Sequence, residues 1–331
     1  MREIEALLIC NSNMFVPTVL TEVLTNTEKK YIIISDTDNI RQFFDFLALP
    51  NVIYKHYGFN PKKDGRFGFI RKKNELLNYV FQYEIDKVVF FHAEFGAMAN
   101  WLISQLSKKI PVKYCKLYDS IPASRAPFSL CALKIRAREY IYWGQKRDVL
   151  VSTCPFPSLP QSFFRKVKSE TIKMSVDVAF VNNCLKGKLE SLGIRGEYVL
   201  LTGTVVHDRY CSAEVYTDFI NSLIETIGKD KVISKCHPRY SDLYGLEQQL
   251  PQIPSFIPGN VLIDNYEYYI GFESTLLVEA AVAGKIAISL IDMIQPLESV
   301  HKFIHDFFDN RLKGKGKIFY PQTMDELKTL L

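Results

Sequence analysis

Short β-branched runs alternate with longer amphipathic segments along most of this chain, and that alternation limits the fold more than any other feature. In the first half EALLIC, YIIIS, NVIYK, KVVFF and VKYCKLYD read as strands, and DVLVST closes the series. Between them VPTVLTEVLTN, NIRQFFDFLAL, RKKNELLNYVFQY, GAMANWLISQLSK and the basic SLCALKIRAREYIYWGQKR carry apolar residues at helical spacing. Apolar runs without a polar face belong to strands covered on both sides. Strands separated by helices of about 10–15 residues imply right-handed βαβ units and a parallel sheet.

The alternation breaks near CPFPSLPQSFFRKVKSETIKM, where three prolines precede a basic stretch, which reads as a linker. It then resumes, with EYVLLTG, KVISK, YYIGF and KIAISLI as strands and AEVYTDFINSLIETIG and STLLVEAAVAG as helices. The expected α/β architecture is two Rossmann-like domains facing across a cleft. They would span 1–155 and 181–331, joined by a linker over 156–180, with the last helix packing back on the N-terminal domain. Ligands of such sheets bind at the carboxyl ends of the strands.

With 331 residues the chain is long enough for two cores, and 47% hydrophobic with 23% charged residues is ordinary globular composition. The net charge of +5 is spread along the chain and not gathered into a basic patch, so no nucleic-acid partner is expected. It fits mild attraction to anionic ligands or an anionic membrane surface. The seven cysteines are odd in number and lack a CxxC pair, which reads as reduced cytosolic thiols and not as a disulfide framework or zinc site. MREIEALLIC has two glutamates and a short apolar run, unlike a signal peptide. No uninterrupted apolar window approaches the roughly 18 residues of a membrane-spanning helix.

Several strand ends carry candidate chemistry. In VISKCHPRYSD a β-branched run stops at Lys235, and His237, Pro238 and Arg239 follow. An imidazole there can donate a proton to a leaving phosphate, and Lys235 and Arg239 can hold its charge. The same dipeptide also reads as a plain turn. In YYIGFESTLLVEAAVAGK a strand ends at Gly271, then Glu273, Ser274 and Thr275 lead into a helix. Free N–H groups and two hydroxyls at a helix start favour a phosphate, though serine is equally a routine N-cap. In KLYDSIPAS, Asp119 ends a strand and reads either as a proton acceptor for an incoming hydroxyl or as an Asx-turn. Gly203 and Thr204 in LLTGTVV let backbone approach a ligand closely. His92 and Glu94 in FFHAEFGAMANW lie between strand and helix, where they would contact an acceptor or serve as loop residues. No carboxylate cluster shows metal-ligand spacing, so no metal is expected.

The order of a strand-end Asp119, a strand-end His237–Pro238 and a strand–Ser274–Thr275–helix resembles the bacterial sialyltransferases of glycosyltransferase family 52, the lipooligosaccharide and capsule enzymes. That family carries an acidic motif, an HP and an S-S or S-T. Here the acidic motif is matched only by Asp119, with Ser120 and Ile121 where a second acid and a glycine would stand. The resemblance implies a GT-B fold and an inverting, metal-free transfer of sialic acid or a related nonulosonic acid from a CMP-linked donor. Asp119 would be the base and His237 the acid. Lys235, Pro238, Arg239, Gly203, Thr204, Glu273, Ser274 and Thr275 would line the donor side, and His92 and Glu94 the acceptor side. The CMP-sugar is a co-substrate and no cofactor is implied.

The acceptor would be a glycan hydroxyl, lipid-linked in surface polysaccharide or lipooligosaccharide synthesis, and the protein cytoplasmic and peripheral on the inner face of the membrane. The basic-aromatic segments LKIRAREYIYWGQKR and FFRKVK fit contact with anionic lipid, or equally a solvated helix face and linker. The alternatives are another CMP- or CDP-linked donor, as in Kdo or glycerophosphate transfer, and a nucleotide-sugar-binding protein without turnover.

Overall fold

The computed structural model describes residues 2–59, 61–91, 97–115, 148–149, 165–166, 169–208, 210–237, 249–294 and 298–331. The chain divides into two units, Met1–Asp177 and Val178–Leu331. The division falls within the stretch read as linker, but that stretch also contributes a strand to the first sheet, as described below.

The first unit holds β1 (Arg2–Ile9), β2 (Tyr31–Ser35), β3 (Val52–His56), β4 (Tyr83–Phe90) and β5 (Val112–Cys115). A two-stranded pair, β6 (Asp148–Val149) and β7 (Arg165–Lys166), precedes β8 (Glu170–Ile172). The main sheet runs β3-β2-β1-β4-β5-β8, with every neighbour parallel. All five residues of β2 are buried, as the unbroken run YIIIS predicts for a strand covered on both faces. β8 is an edge strand with mostly exposed residues, so it lacks the apolar signature and was expected as linker.

The helices that cover this sheet follow their apolar spacing. Asp38–Leu47 buries Ile40, Phe43, Phe44 and Leu47, one stripe at i, i+3, i+4 and i+7. It stops at Ala48, whose φ of 50° is a left-handed C-cap conformation. The core gathers Leu7, Ile32, Val88 and Phe90 from the strands with Leu102 and Leu106 from the helix Ala97–Leu106. Each such side chain contributes about 1.5–3 kcal/mol by leaving water.

The second unit repeats the plan. Its strands are β9 (Tyr198–Thr202), β10 (Val232–Cys236), β11 (Gln252–Ile253), β12 (Tyr268–Gly271), β13 (Ile286–Ser289) and β14 (Ile318–Phe319). They lie in the order β11-β10-β9-β12-β13-β14, again all parallel. The helix Ala213–Ile227 starts at Ser212, whose hydroxyl accepts from the Val215 N–H at 3.2 Å, and ends at Gly228 with φ 98°. It buries Tyr216, Ile220, Leu223 and Ile224. The last helix, Met324–Leu330, packs on Ala213–Ile227 within its own unit, with Leu327 fully buried and the Tyr198 hydroxyl donating to the Leu331 carbonyl at 3.3 Å.

Candidate active site at a strand-order reversal

In both sheets the chain starts in the middle, builds outward to one side, then returns to build the other. The reversal lies between β1 and β4 in the first unit and between β9 and β12 in the second. Two neighbouring strands whose connections leave in opposite directions open a crevice at their carboxyl ends, where doubly wound sheets bind ligands.

In the second unit this crevice gathers the residues singled out after β9 and β12. Gly203 and Thr204 follow β9, while Glu273 and Ser274 follow β12. The Glu273 carboxylate reaches across the pair. Its Oε1 accepts from the Thr204 backbone N–H and, at 3.1 Å, from the Thr204 hydroxyl, which also donates to Asp208. Only a glycine at 203 leaves room for this: a Cβ there would lie 2.5 Å from Oε1 and 2.7 Å from Oε2. Burial pushes the Glu273 carboxyl above its ordinary pKa, against the hydrogen bonds from Thr204. Its Oε2 is buried and has no hydrogen-bond partner among the described residues. Burial raises the pKa of the nearby Cys211 and Tyr210; the Glu273 carboxylate adds to this at Cys211, and Asp208 and then Glu273 add to it at Tyr210.

Ser274 and Thr275 begin the helix Thr275–Val282. Ser274 is its N-cap, with the hydroxyl accepting from the Leu276 N–H at 3.3 Å. The Leu277 N–H is also taken, by the Ser274 carbonyl at 3.0 Å, so within the first turn it is the Thr275 N–H that stays available to an anion. Farther along, Glu279 is half-buried, and burial raises its pKa to about 7, with Arg311 as the opposing influence.

His237 stands one residue past β10. The register pairs Cys236 with Thr202, so His237 and Gly203 leave the sheet at the same level on adjacent strands. The imidazole is half-buried. Lys235 lies within β10, as the strand KVISK predicts; it is only 6% exposed, and its ammonium donates to the Cys236 carbonyl at 3.2 Å. Burial lowers its pKa to about 8. All five residues of β10 are buried, so both faces of this strand are covered. Pro238, Arg239, Asp119, His92 and Glu94 lie outside the described residues.

At the carboxyl edge of the first sheet, polar residues that the sequence analysis does not single out join the ends of β1, β2 and β3. Asn11, just beyond β1, donates from Nδ2 to the Tyr57 hydroxyl at 2.7 Å and accepts at Oδ1 from the Asp36 N–H at 3.1 Å. The Thr37 hydroxyl donates to the Asn11 carbonyl at 3.3 Å. Asp36 follows β2, and burial raises its pKa. Polar residues just past a buried strand, as in CNSN and SDTD, are the available sequence signal.

No protein-family model matches the chain, and no curated protein matches it. Among solved structures it is similar to UDP-GlcNAc 2-epimerase from Methanocaldococcus jannaschii, at 14% identity and a TM-score of 0.50, over 99% of this chain and 91% of that one. UDP-GlcNAc 2-epimerase from Neisseria meningitidis gives 13% and 0.49 over 99% and 98%, and the glycosyltransferase SnogD from Streptomyces nogalater 16% and 0.43 over 100% and 90%. At such identities the likeness speaks for architecture, and with the two all-parallel six-stranded sheets it shows that the chain has the GT-B type of fold, two Rossmann-like units in succession.

Proposed function

We propose that the protein is an inverting glycosyltransferase that moves sialic acid or a related nonulosonic acid from a CMP-linked donor to a glycan hydroxyl. One observation carries this reading: Gly203, Thr204, Glu273 and Ser274 flank the strand-order reversal of the second sheet, and His237 leaves the next strand at the same level. In the proposed reaction the acceptor oxygen attacks the anomeric carbon as the bond from that carbon to the donor phosphate breaks. Asp119 takes the hydroxyl proton. His237 gives its proton to the departing CMP phosphate, or stabilises its charge. The start of the helix Thr275–Val282, with the Ser274 and Thr275 hydroxyls, offers fixed donors to the same phosphate. Pro238 and Arg239 complete the donor side, and His92 and Glu94 belong to the acceptor side. A lipid-linked acceptor would bring the protein to the anionic inner face of a membrane. Among the described residues no helix is long and apolar enough to cross one.

The other readings keep the same site. A UDP-linked donor draws support from the fold shared with the M. jannaschii UDP-GlcNAc 2-epimerase. Kdo or glycerophosphate transfer and binding without turnover fit the same phosphate-holding groups. Thermal unfolding with CMP-, CDP- and UDP-linked donors separates them, because a ligand of the folded state stabilises it by about 2.7 kcal/mol at a hundredfold excess over Kd. The proposal expects a raised Tm with CMP-sialic acid and CMP release on adding a glycan acceptor. A rise with UDP-GlcNAc alone overturns the CMP assignment, and a rise with CMP-sialic acid without release leaves a binder.

A further inference from the structure

Away from the crevice, the second unit brings together three side chains with metal-ligand chemistry. β13 runs into the turn Ile291–Ile294, which carries Asp292, and the helix Glu298–Leu312 presents His301 and His305. Four residues apart on a helix, the two imidazoles share a face. Nε2 of His301 lies 2.7 Å and Nε2 of His305 2.9 Å from the same Asp292 oxygen, Oδ1. The donor atoms of all three lie within 4.8 Å of one another. The imidazole rings stack with centroids 4.4 Å apart, and the His305 ring also stacks on Tyr320 at 4.0 Å. Asp292 is only 8% exposed at its side chain.

Two nitrogen donors and a buried carboxylate converging on one point are the ligand set of zinc-type ions. Calcium and magnesium take oxygen ligands, and this set has too few. Ligand atoms about 2.0–2.2 Å from a tetrahedral ion sit about 3.3 Å apart, so the observed spacings need to open by only about half an ångström. The stacking on Tyr320 holds the His305 ring in place for this.

We propose that Asp292, His301 and His305 bind one divalent zinc-type ion, leaving its fourth position open to water or to an external oxygen. The ion ties the turn after β13 to the helix Glu298–Leu312. It is independent of the transferase reading and enters no step of it. The i, i+4 histidine pair is visible in the sequence as HKFIH, but nothing in the sequence puts Asp292 beside it.

The test is calorimetric titration of the chelator-treated full chain with Zn²⁺, with Co²⁺ absorption as a second readout. One equivalent should bind, and the Co²⁺ spectrum should lack a thiolate band. His305→Ala and Asp292→Asn should each weaken binding by more than the roughly 10–100-fold that loss of an outer-shell partner costs. His301→Gln, at the more exposed ring, covers the case in which those two variants do not fold. His207→Ala and Cys184→Ser, which alter an exposed histidine and an exposed cysteine outside the cluster, should bind as the wild type does. No stoichiometric Zn²⁺ binding, binding that survives His301→Gln, or binding lost with Cys184→Ser overturns the proposal.

Discussion

Gly203 and Glu273 lie 70 positions apart in sequence, yet a Cβ on one would sit 2.5 Å from the carboxylate of the other. They leave adjacent parallel strands, β9 and β12, at the edge where the strand order reverses. The missing side chain is what lets the Glu273 carboxylate close on the Thr204 N–H.

Gly203→Ala should therefore displace that carboxylate and leave the Thr204 N–H without its acceptor. The expected loss is about 1–3 kcal/mol in denaturant unfolding. In a Glu273→Ala background the same substitution should cost less than about 0.5 kcal/mol, since nothing remains to collide with. Equal costs in the two backgrounds would mean that the backbone at 203, and not the contact with Glu273, makes glycine necessary.

His237→Ala should lower turnover with CMP-sialic acid by roughly 10²–10⁴-fold, the scale of one proton-transfer group. Donor binding, read by thermal shift, should hardly change, because the imidazole acts on charge that develops in the transition state. Wild-type turnover in this variant would make His237 a turn residue.

The base on the acceptor hydroxyl is tested by comparing variants. Asp119→Asn should keep donor binding and abolish transfer, because an amide cannot take the proton. Glu94→Gln and Asp36→Asn should transfer normally. Asp36 enters the comparison because it is a carboxyl at the carboxyl edge of the first sheet with a pKa raised by burial. Loss of transfer in one of these two, with Asp119→Asn active, would move the assignment to that residue.

Glu279 makes stability depend on pH. Burial raises its folded pKa to about 7 from an ordinary 4.5, so the folded state holds this proton more tightly than the unfolded chain does. The folded state then gains from protonation below pH 4.5, and that gain is lost as pH rises through about 7. Glu279→Gln has no such proton. The stability of the wild type relative to this variant should fall between these pH values in urea titrations. A difference that stays flat across the window would show that Glu279 ionises as an exposed carboxyl does.

The sequence by itself determined the alternation of strands and helices, and through it two parallel sheets in one chain. YIIIS matches β2 residue for residue, because a strand buried on both faces reads as one unbroken β-branched run, here Ile32–Ile34, closed by Ser35. It also marked Gly203, Thr204, His237, Glu273 and Ser274 as positions just past strands, since chemistry at strand ends needs only local pattern to be seen. Tertiary structure decided the rest. The edge strands β8, β11 and β14 are two or three residues long and were missed, because most of their order comes from a neighbour's backbone hydrogen bonds and not from their own apolar pattern. That Lys235 is buried follows from helices covering both faces of β10, whose five residues are all buried. The pairing of Gly203 with Glu273, and of Asp292 with His301 and His305, arises only when separate strands and helices are brought side by side. No local spacing encodes a distance across a sheet edge, and it is at that edge that this protein places its candidate chemistry.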